Sequence, residues 1–312
     1  MYGKHHPTPH ALAALIAAAF VSTTALAESF TPIDVPGGTG TRAFGINNLG
    51  QIVGRYDDSN GVAQGFLRRA NGRYVTISAP GGVNGTWAQD IDDRGVIVGF
   101  YFDADDLAHG FVLKDGRFQT VEYPGAMETY IRGIDPYGRL MGHYFDDTGF
   151  EIGFVHDRNG FTAELYPGSD SSDVWDGSFE GKMVGDWSDV DNNIFGFTLK
   201  RNLFTDTNVP GATGTSIRGI SGLGITVGVF DDEEFASHGF AGTRHGFIQI
   251  DYPGAQFTFA NRINDWGAIV GAYFGADDEF HGYAVTGWEH GPTYPRVVDP
   301  KSRTGTRLKV KW

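Results

Sequence analysis

A Pro-Gly dipeptide returns along this chain at an almost constant interval of 43 or 44 residues. Its prolines are Pro36, Pro80, Pro124, Pro167, Pro210 and Pro253. Two other markers keep the same period: a glycine that ends an apolar run, and a glycine followed by an aromatic residue. The former are Gly54, Gly99, Gly142, Gly185, Gly228 and Gly271, and the latter are Gly65-Phe66, Gly110-Phe111, Gly153-Phe154, Gly196-Phe197, Gly239-Phe240 and Gly282-Tyr283. Three markers with one period predict six copies of one structural unit over residues 30–286.

Each unit is predicted to contain four short β-strands. In the first unit these strands are residues 30–35, 41–46, 51–56 and 64–69, separated by segments rich in Pro, Gly, Asn and Asp. The 46 glycines and the aromatic content of 14% also favour strands and tight turns over long helices. Since about 43 residues is the length of a propeller blade, we predict an all-β, six-bladed β-propeller with four antiparallel strands per blade. A parallel β-solenoid is the alternative.

The order of the strands indicates how the ring closes. We take the strand after each Pro-Gly loop as the inner strand of a blade. The strand at residues 30–35 then precedes the first inner strand and has no blade of its own. We expect it to complete the last blade, because pairing between the first and last repeats leaves no open sheet edge.

The two ends of the chain differ from the repeats. Residues 1–27 combine Lys4, an apolar stretch at residues 11–21 and an Ala-Leu-Ala cleavage site, which are the features of a signal peptide. We expect a signal peptide at 1–27, the six-repeat propeller at 28–288 and a flexible basic tail at 289–312. The protein is therefore predicted to be secreted, to the periplasm or the medium. The chain has no cysteine, which excludes disulfides and cysteine-ligated zinc.

The charge balance narrows the class of partner. The chain has 38 acidic and 24 basic residues, and several of the basic ones lie in the tail. Such an acidic body argues against nucleic acid, because phosphate binding needs a basic surface. No segment after the signal is long and apolar enough to be a membrane span. We expect a monomer whose partner is an extracellular glycan or protein.

A longer motif carries a family resemblance. The pattern G-I-N-x-x-G-x-I-V-G-x-Y begins at Gly45 and returns in part from Ile263, and H-G-F or H-G-Y follows the acidic loop at His109, His238 and His281. This pattern resembles the bacterial extracellular HAF-repeat family over the whole body except the tail. The resemblance implies export and a propeller-like repeat, and no general activity. The fourth repeat departs most, with Trp175, Asp176 and Phe195-Gly196-Phe197, and the histidine is missing there and from the first and third repeats.

The Pro-Gly loops and the acidic loops are predicted to share one face of the propeller. Connections in a meandering blade alternate between the two faces, and the face with longer loops is the one expected to carry function. Oxygen-rich loops suit Ca²⁺. The alternate acidic spacing makes Asp103, Asp105, Asp189 and Asp191 the candidate calcium ligands. The alternative is solvated loops held by Asx turns.

The predicted inner strands carry polar and aromatic residues where they would line the central channel. The candidate ligand-binding residues are Trp87, Gln89, Asp90, Arg132, Trp175, Asp176, Arg218 and Arg262. One column of the repeat alignment contains Phe44, Gln89, Arg132, Asp176, Arg218 and Asn261, with Ser178 in the isoleucine column of the fourth repeat. Arginine can hold a carboxylate or sulfate through two hydrogen bonds, and tryptophan can stack on a sugar ring. Alternatively, the arginines pair with Asp90 and Asp176, and the aromatic residues pack between blades.

Two function classes follow. The first is a noncatalytic propeller that binds an extracellular polysaccharide or protein, with calcium assistance as an option. The second is a hydrolase, lactonase or polysaccharide lyase at the channel mouth. The sequence has no G-x-S-x-G or H-E-x-x-H motif to name a nucleophile or a catalytic metal. The repeated histidines are spread around the ring, so we expect each to hydrogen-bond a neighbouring loop or backbone carbonyl rather than share a metal.

Overall fold

The computed structural model of the protein describes residues 29–287, and this part of the chain is built from strands alone. The predicted signal peptide and basic tail lie outside the described residues. Between residues 29 and 287 there is no helix with the length and apolar character needed to cross a membrane.

Twenty-four strands form six four-stranded antiparallel sheets, which are the blades. The strands of blades 1 to 3 are β2 (Thr39–Ile46), β3 (Ile52–Asp57), β4 (Ala63–Arg68), β5 (Tyr74–Ile77); β6 (Gly85–Ile91), β7 (Ile97–Phe102), β8 (Ala108–Lys114), β9 (Arg117–Val121); and β10 (Glu128–Ile134), β11 (Leu140–Phe145), β12 (Glu151–Asp157), β13 (Gly160–Glu164). Those of blades 4 to 6 are β14 (Ser171–Gly177), β15 (Met183–Ser188), β16 (Ile194–Lys200), β17 (Leu203–Asp206); β18 (Gly214–Ile220), β19 (Thr226–Asp231), β20 (Ser237–Thr243), β21 (Gly246–Ile250); and β22 (Phe257–Ile263), β23 (Ile269–Phe274), β24 (Phe280–Thr286), with β1 (Ser29–Pro32).

The N-terminal strand closes the ring, as predicted. β1 pairs with β24 and completes blade 6 as its outermost strand, with Phe30 opposite Val285. The inner strand β2 contacts β22 of blade 6 as well as β6 of blade 2, so the inner strands follow one another around the channel. The strand is shorter than predicted, since it ends at Pro32. The propeller and its four strands per blade are confirmed.

The Gly-aromatic marker forms the core between neighbouring blades. Its aromatic rings are fully buried, and they are Phe66, Phe111, Phe154, Phe197, Phe240 and Tyr283. Phe66 of blade 1, for example, packs in one cluster with Val270 of blade 6. Because these rings lie between blades, burial of one apolar side chain in each repeat holds two sheets together.

Every inner strand contains a β-bulge at the same position, where its register against the second strand shifts by one residue. The unpaired residues, called the bulge residues below, are Phe44, Gln89, Arg132, Trp175, Arg218 and Asn261. The glycine marker of the second strand lies against this bulge. A Cβ on Gly228 would overlap the carbonyl oxygen of Ser216, and the other five glycines meet an inner-strand carbonyl in the same way. The periodic glycine therefore gives each bulge the space it needs.

We expect Gly228→Ala to destabilise the protein by about 2–3 kcal/mol, because the added methyl must displace the inner-strand backbone. Gly177→Ala is the matched control, since a Cβ there meets only ordinary contacts of 3.4–3.5 Å. That control should change the free energy of unfolding by less than about 1 kcal/mol. Urea unfolding of both variants measures the difference, and equal stabilities would contradict the role assigned to the glycine.

Candidate functional site

The bulge residues converge on one cavity in the central channel. Its volume is about 200 Å³, and its lining consists of the six bulge residues together with Trp87 and Arg262. A bulge re-aims the side chain that it leaves unpaired. Six of the eight predicted binding residues thus line one cavity: Trp87, Gln89, Arg132, Trp175, Arg218 and Arg262.

The cavity lies toward the face that carries the Pro-Gly and acidic loops, called the Pro-Gly face below. Its lining comes from the middle of the inner strands, and these strands begin at that face. The opposite face carries the short turns after the inner strands and is called the turn face below. A second cavity of about 160 Å³ opens there and reaches Asp90, Asp176 and Arg262 from the other side.

Trp175 lies between two arginines in the first cavity. The guanidinium carbon of Arg132 is 4.5 Å from the centre of the Trp175 ring, and that of Arg218 is 5.2 Å from it. Both distances are within the range of a cation–π contact. The indole nitrogen donates a 2.9 Å hydrogen bond to Asp186, which fixes the ring.

The two arginines differ in how their charge is compensated. Arg132 Nε donates to Asp173 Oδ2 at 3.1 Å. Arg218 Nη1 donates to the neutral Asn261 at 3.0 Å, and no carboxylate of residues 29–287 lies within 4.0 Å of its side-chain nitrogens. Burial lowers the pKa of Arg218. Asp186 opposes this effect from further away. An anion in the cavity would therefore add the direct ion pair that Arg218 does not form with a carboxylate of residues 29–287.

Aromatic rings form the other wall. Phe44 and Trp87 stack with their centroids 5.8 Å apart and their planes at 12°. Arg55 lies over the Trp87 ring at 4.8 Å. The cavity thus combines flat apolar surfaces, two amide side chains and arginine donors, which is a suitable environment for a ring that carries polar groups.

Arg262 separates the two cavities. Its guanidinium donates to the backbone carbonyls of Arg132 at 2.8 Å and Arg218 at 2.9 Å. It also forms ion pairs with Asp90 at 3.3 Å and Asp176 at 2.9 Å. One side chain from blade 6 therefore contacts blades 2, 3, 4 and 5. The hypothesis that the channel arginines pair with these two aspartates holds for Arg262.

The repeat alignment misplaced one residue of this region. The register puts Trp175 at the fourth bulge. Asp176 is the next residue along the strand and pairs opposite Val184, as Asp90 does opposite Val98. Gly177, not Ser178, then occupies the isoleucine column. The error arose because the fourth repeat lacks the isoleucine that marks this column, and a bulge adds a residue that strand alternation does not predict.

At the position that directly follows the bulge residue in each inner strand, glycines alternate with charged residues around the ring. The column around the ring is Gly45, Asp90, Gly133, Asp176, Gly219 and Arg262. A Cβ on Gly45 would lie 2.7 Å from Asp90 Cα, and one on Gly219 would lie 3.2 Å from Arg262 Cα. The glycines make room for the three charged side chains, which we call the central triad: Asp90, Asp176 and Arg262.

The central triad is almost completely buried, and this shifts its protonation. Burial raises the pKa of Asp90 to about 7, against the opposing effect of Arg262. Burial also raises the pKa of Asp176, and Arg262 again opposes it. Each carboxylate accepts two backbone hydrogen bonds, one from the residue that follows it and one from the neighbouring blade. The donor in the neighbouring blade is Ile134 for Asp90 and Ile220 for Asp176. The two carboxylates lie outside the first cavity, whereas Arg262 contributes to its lining.

The acidic loops are organised as Asx turns. Asp103 Oδ1 accepts hydrogen bonds from the backbone of Asp105 and Leu107, and Asp189 Oδ1 accepts them from Asp191 and Asn193. Among residues 29–287, no acidic loop brings three carboxylates within coordinating distance of one another. Calcium binding by Asp103, Asp105, Asp189 and Asp191 stays a prediction.

The repeated histidines link three of the acidic loops to a carboxylate that follows the outermost strand of the same blade. His109 contacts Asp103 through Nε2 at 3.0 Å and Glu122 through Nδ1 at 2.6 Å. His238 and His281 make the same pair of contacts with carboxylates. Burial alone would lower the pKa of His109, and the two carboxylates more than offset it, so that its pKa is raised. The expectation of a loop contact is met, with carboxylates as the partners.

A buried group beside the cavity was not predicted from the sequence. It consists of His143 on β11, Glu151 on β12 and Asp173 on β14 of the next blade. In blade 2 the structurally equivalent positions of His143 and Glu151 are Phe100 and Ala108, but the column of His143 also contains Arg55 and Asp186 in other blades. A polar residue in this column therefore did not single out His143, and the sequence offered no clear signal for the group.

Comparisons with known proteins identify the fold. No family model matches the chain, and no curated protein matches it. The structure of AofleA from Arthrobotrys oligospora matches with a TM-score of 0.53 over 82% of this chain and 86% of that chain, at 11% identity. The structure of an Aleuria aurantia lectin variant in complex with alpha-methyl-L-fucoside matches with a TM-score of 0.51 over 82% of this chain and 96% of that chain, at 12% identity. At such identity these matches show a shared fold.

We expect Arg262→Met to destabilise the protein by about 3–5 kcal/mol at pH 8, because it leaves two buried carboxylates without a counterion. Carboxyl groups with a raised folded pKa bind more protons in the folded state than in the unfolded state, so their contribution is favourable at low pH and is lost as pH rises through about 7. The loss relative to wild type should therefore be smaller at pH 5.

Urea unfolding at pH 5 and pH 8 measures this difference. Lys200→Met is the control, because it removes a cation from an exposed pair with Glu180 and should cost less than about 1 kcal/mol. A loss for Arg262→Met that is the same at both pH values would mean that the carboxylates do not carry the effect.

Proposed function

We propose that the protein is a glycan-binding propeller whose site is the cavity lined by the bulge residues. The observation that carries the proposal is that all six bulges aim their side chains into one cavity, which joins tryptophan rings to arginine donors. Solved lectins of the same fold support a sugar as the class of ligand, since one of them is bound to alpha-methyl-L-fucoside. Secretion and membership of the HAF-repeat family belong to this proposal as expectations.

The cavity favours a sugar with an anionic group. Arg218 has no carboxylate partner among residues 29–287, and the Nη atoms of Arg132 donate no hydrogen bond within that range. A carboxylate or sulfate could accept from both arginines while the sugar ring stacks on Trp175 or Trp87. The volume of about 200 Å³ admits a terminal sugar residue better than a continuous chain.

The geometry favours binding over catalysis. The enzyme hypothesis needs Asp90 or Asp176 at the reacting bond. Both carboxylates lie on the far side of Arg262, are buried, and accept backbone hydrogen bonds. Among the residues that line the cavity there is no carboxylate, imidazole or hydroxyl group that could act as a nucleophile or a general base.

The test is binding of the full chain to a glycan panel with four arms: sialylated, uronic-acid-terminated, sulfated and neutral fucosylated glycans. We expect saturable binding in an anionic arm. Arg218→Gln should weaken that binding by about 10- to 100-fold, because it removes a charge-assisted hydrogen bond. Arg73→Gln, an exposed arginine in the β4–β5 turn, is the control and should leave the affinity unchanged.

Each outcome decides one part of the proposal. Binding confined to neutral glycans would contradict the role of the arginines, and equal affinities for wild type and Arg218→Gln would contradict the site. No saturable binding in any arm would contradict the function. Repeating the panel with EDTA and then with Ca²⁺ tests calcium assistance, which predicts tighter binding only with the metal.

A further inference from the structure

We propose that His143, Glu151 and Asp173 form a binding site for a divalent transition metal such as Zn²⁺. The three side chains come from β11, β12 and the inner strand β14 of the next blade, and their donor atoms all lie within 4.8 Å of one another. This site goes beyond the proposed glycan binding and does not depend on it.

The distances match those between ligands of one metal ion. His143 Nδ1 lies 2.9 Å from Asp173 Oδ2 and 3.5 Å from Glu151 Oε1. Ligand atoms at about 2.0–2.2 Å from zinc and at tetrahedral angles are about 3.4 Å apart, so the distance to Glu151 fits and His143 and Asp173 would have to separate by about 0.5 Å. A single ion could therefore contact all three atoms with small shifts of the side chains.

The polar atoms of this group lack the partners that burial requires. The side chains of His143 and Asp173 are only 4% and 5% exposed. His143 Nδ1 lies 2.9 Å from Asp173 Oδ2 without the angles of a good hydrogen bond, and Asp173 Oδ1 has no hydrogen-bond partner among residues 29–287. Buried polar atoms are normally satisfied, so two such atoms in one cluster favour a bound cation. A cation would satisfy both of them.

The surroundings hold the imidazole and one carboxylate in place. The His143 ring stacks on Tyr130 at 4.6 Å and meets Phe145 edge-on at 5.5 Å. Arg132 Nε donates to Asp173 Oδ2 at 3.1 Å. Metal-binding carboxylates are commonly hydrogen-bonded in this way by a neighbouring residue, which orients them toward the ion.

The donor set selects the class of metal. An imidazole together with carboxylates suits zinc and its neighbours, whereas Ca²⁺ takes oxygen ligands only. His109 shows the contrast within the same chain, because each of its nitrogens hydrogen-bonds a different carboxylate and none is left for an ion. Three protein ligands leave a coordination position for water or a bound molecule.

The test is isothermal titration of the full, chelator-treated chain with ZnCl₂, followed by Co²⁺ absorption spectra. We expect one zinc ion at this site and a visible Co²⁺ spectrum from nitrogen and oxygen ligands. Glu151→Gln should weaken zinc binding by at least about tenfold. The matched control Glu122→Gln, which changes the carboxylate beside His109, should have no effect.

Glu151→Gln is the variant of choice because it should remove a metal ligand without affecting folding. Asp173→Asn could affect folding, whereas the Glu151 side chain is 29% exposed and its change to Gln should leave the urea midpoint close to that of wild type. Zinc binding that survives Glu151→Gln would place the metal elsewhere, for example at His5, His6 and His10, and would overturn the proposal. So would the absence of saturable binding, or equal competition by Ca²⁺.

Discussion

The buried guanidinium of Arg262 is the contact on which the centre of this propeller depends. Blades in a ring pack against their neighbours, but Arg262 reaches from blade 6 to the backbone or carboxylates of four others. A buried charge is tolerated only when it is paired and hydrogen-bonded. Asp90 and Asp176 provide the pairing, and the glycines at alternate positions provide the space. One unrepeated cluster thus sets how six similar sheets meet.

The architecture could be predicted because it repeats. A glycine of the Gly228 type recurs since every bulge brings a carbonyl against it, and an aromatic residue such as Phe66 recurs since every blade interface buries one ring. The chain order of the strands was enough to predict that residues 30–35 join the last blade, because an unpaired strand at an edge is unfavourable. The end of this strand at Pro32 was not predicted, because alternation continues to Val35 in the sequence, although the equivalent outer strand Tyr74–Ile77 also ends before its Pro-Gly loop.

The candidate site was predicted in composition but not in detail. Channel-facing residues could be selected as polar departures in a repeated column, and six of the eight now line one cavity. Trp175 and Asp176 were confused because a bulge breaks the alternation of side chains. The group of His143, Glu151 and Asp173 could not be derived, since it joins two blades through side chains at unrelated repeat positions.

The residues that build the blades repeat, whereas those that line the cavity do not, and this limits how many equivalent ligand sites the chain can have. A repeat protein with equivalent sites would carry the same polar residues in each unit. Here the bulge residues differ from blade to blade, and the pair of arginines around Trp175 occurs once, across blades 3 to 5. The cavity of the bulge residues is also shared by all six blades, so it holds one ligand rather than six. The residues to which we assign functions are therefore those that break the repeat: the bulge residues at the axis and the group of His143, Glu151 and Asp173 beside them.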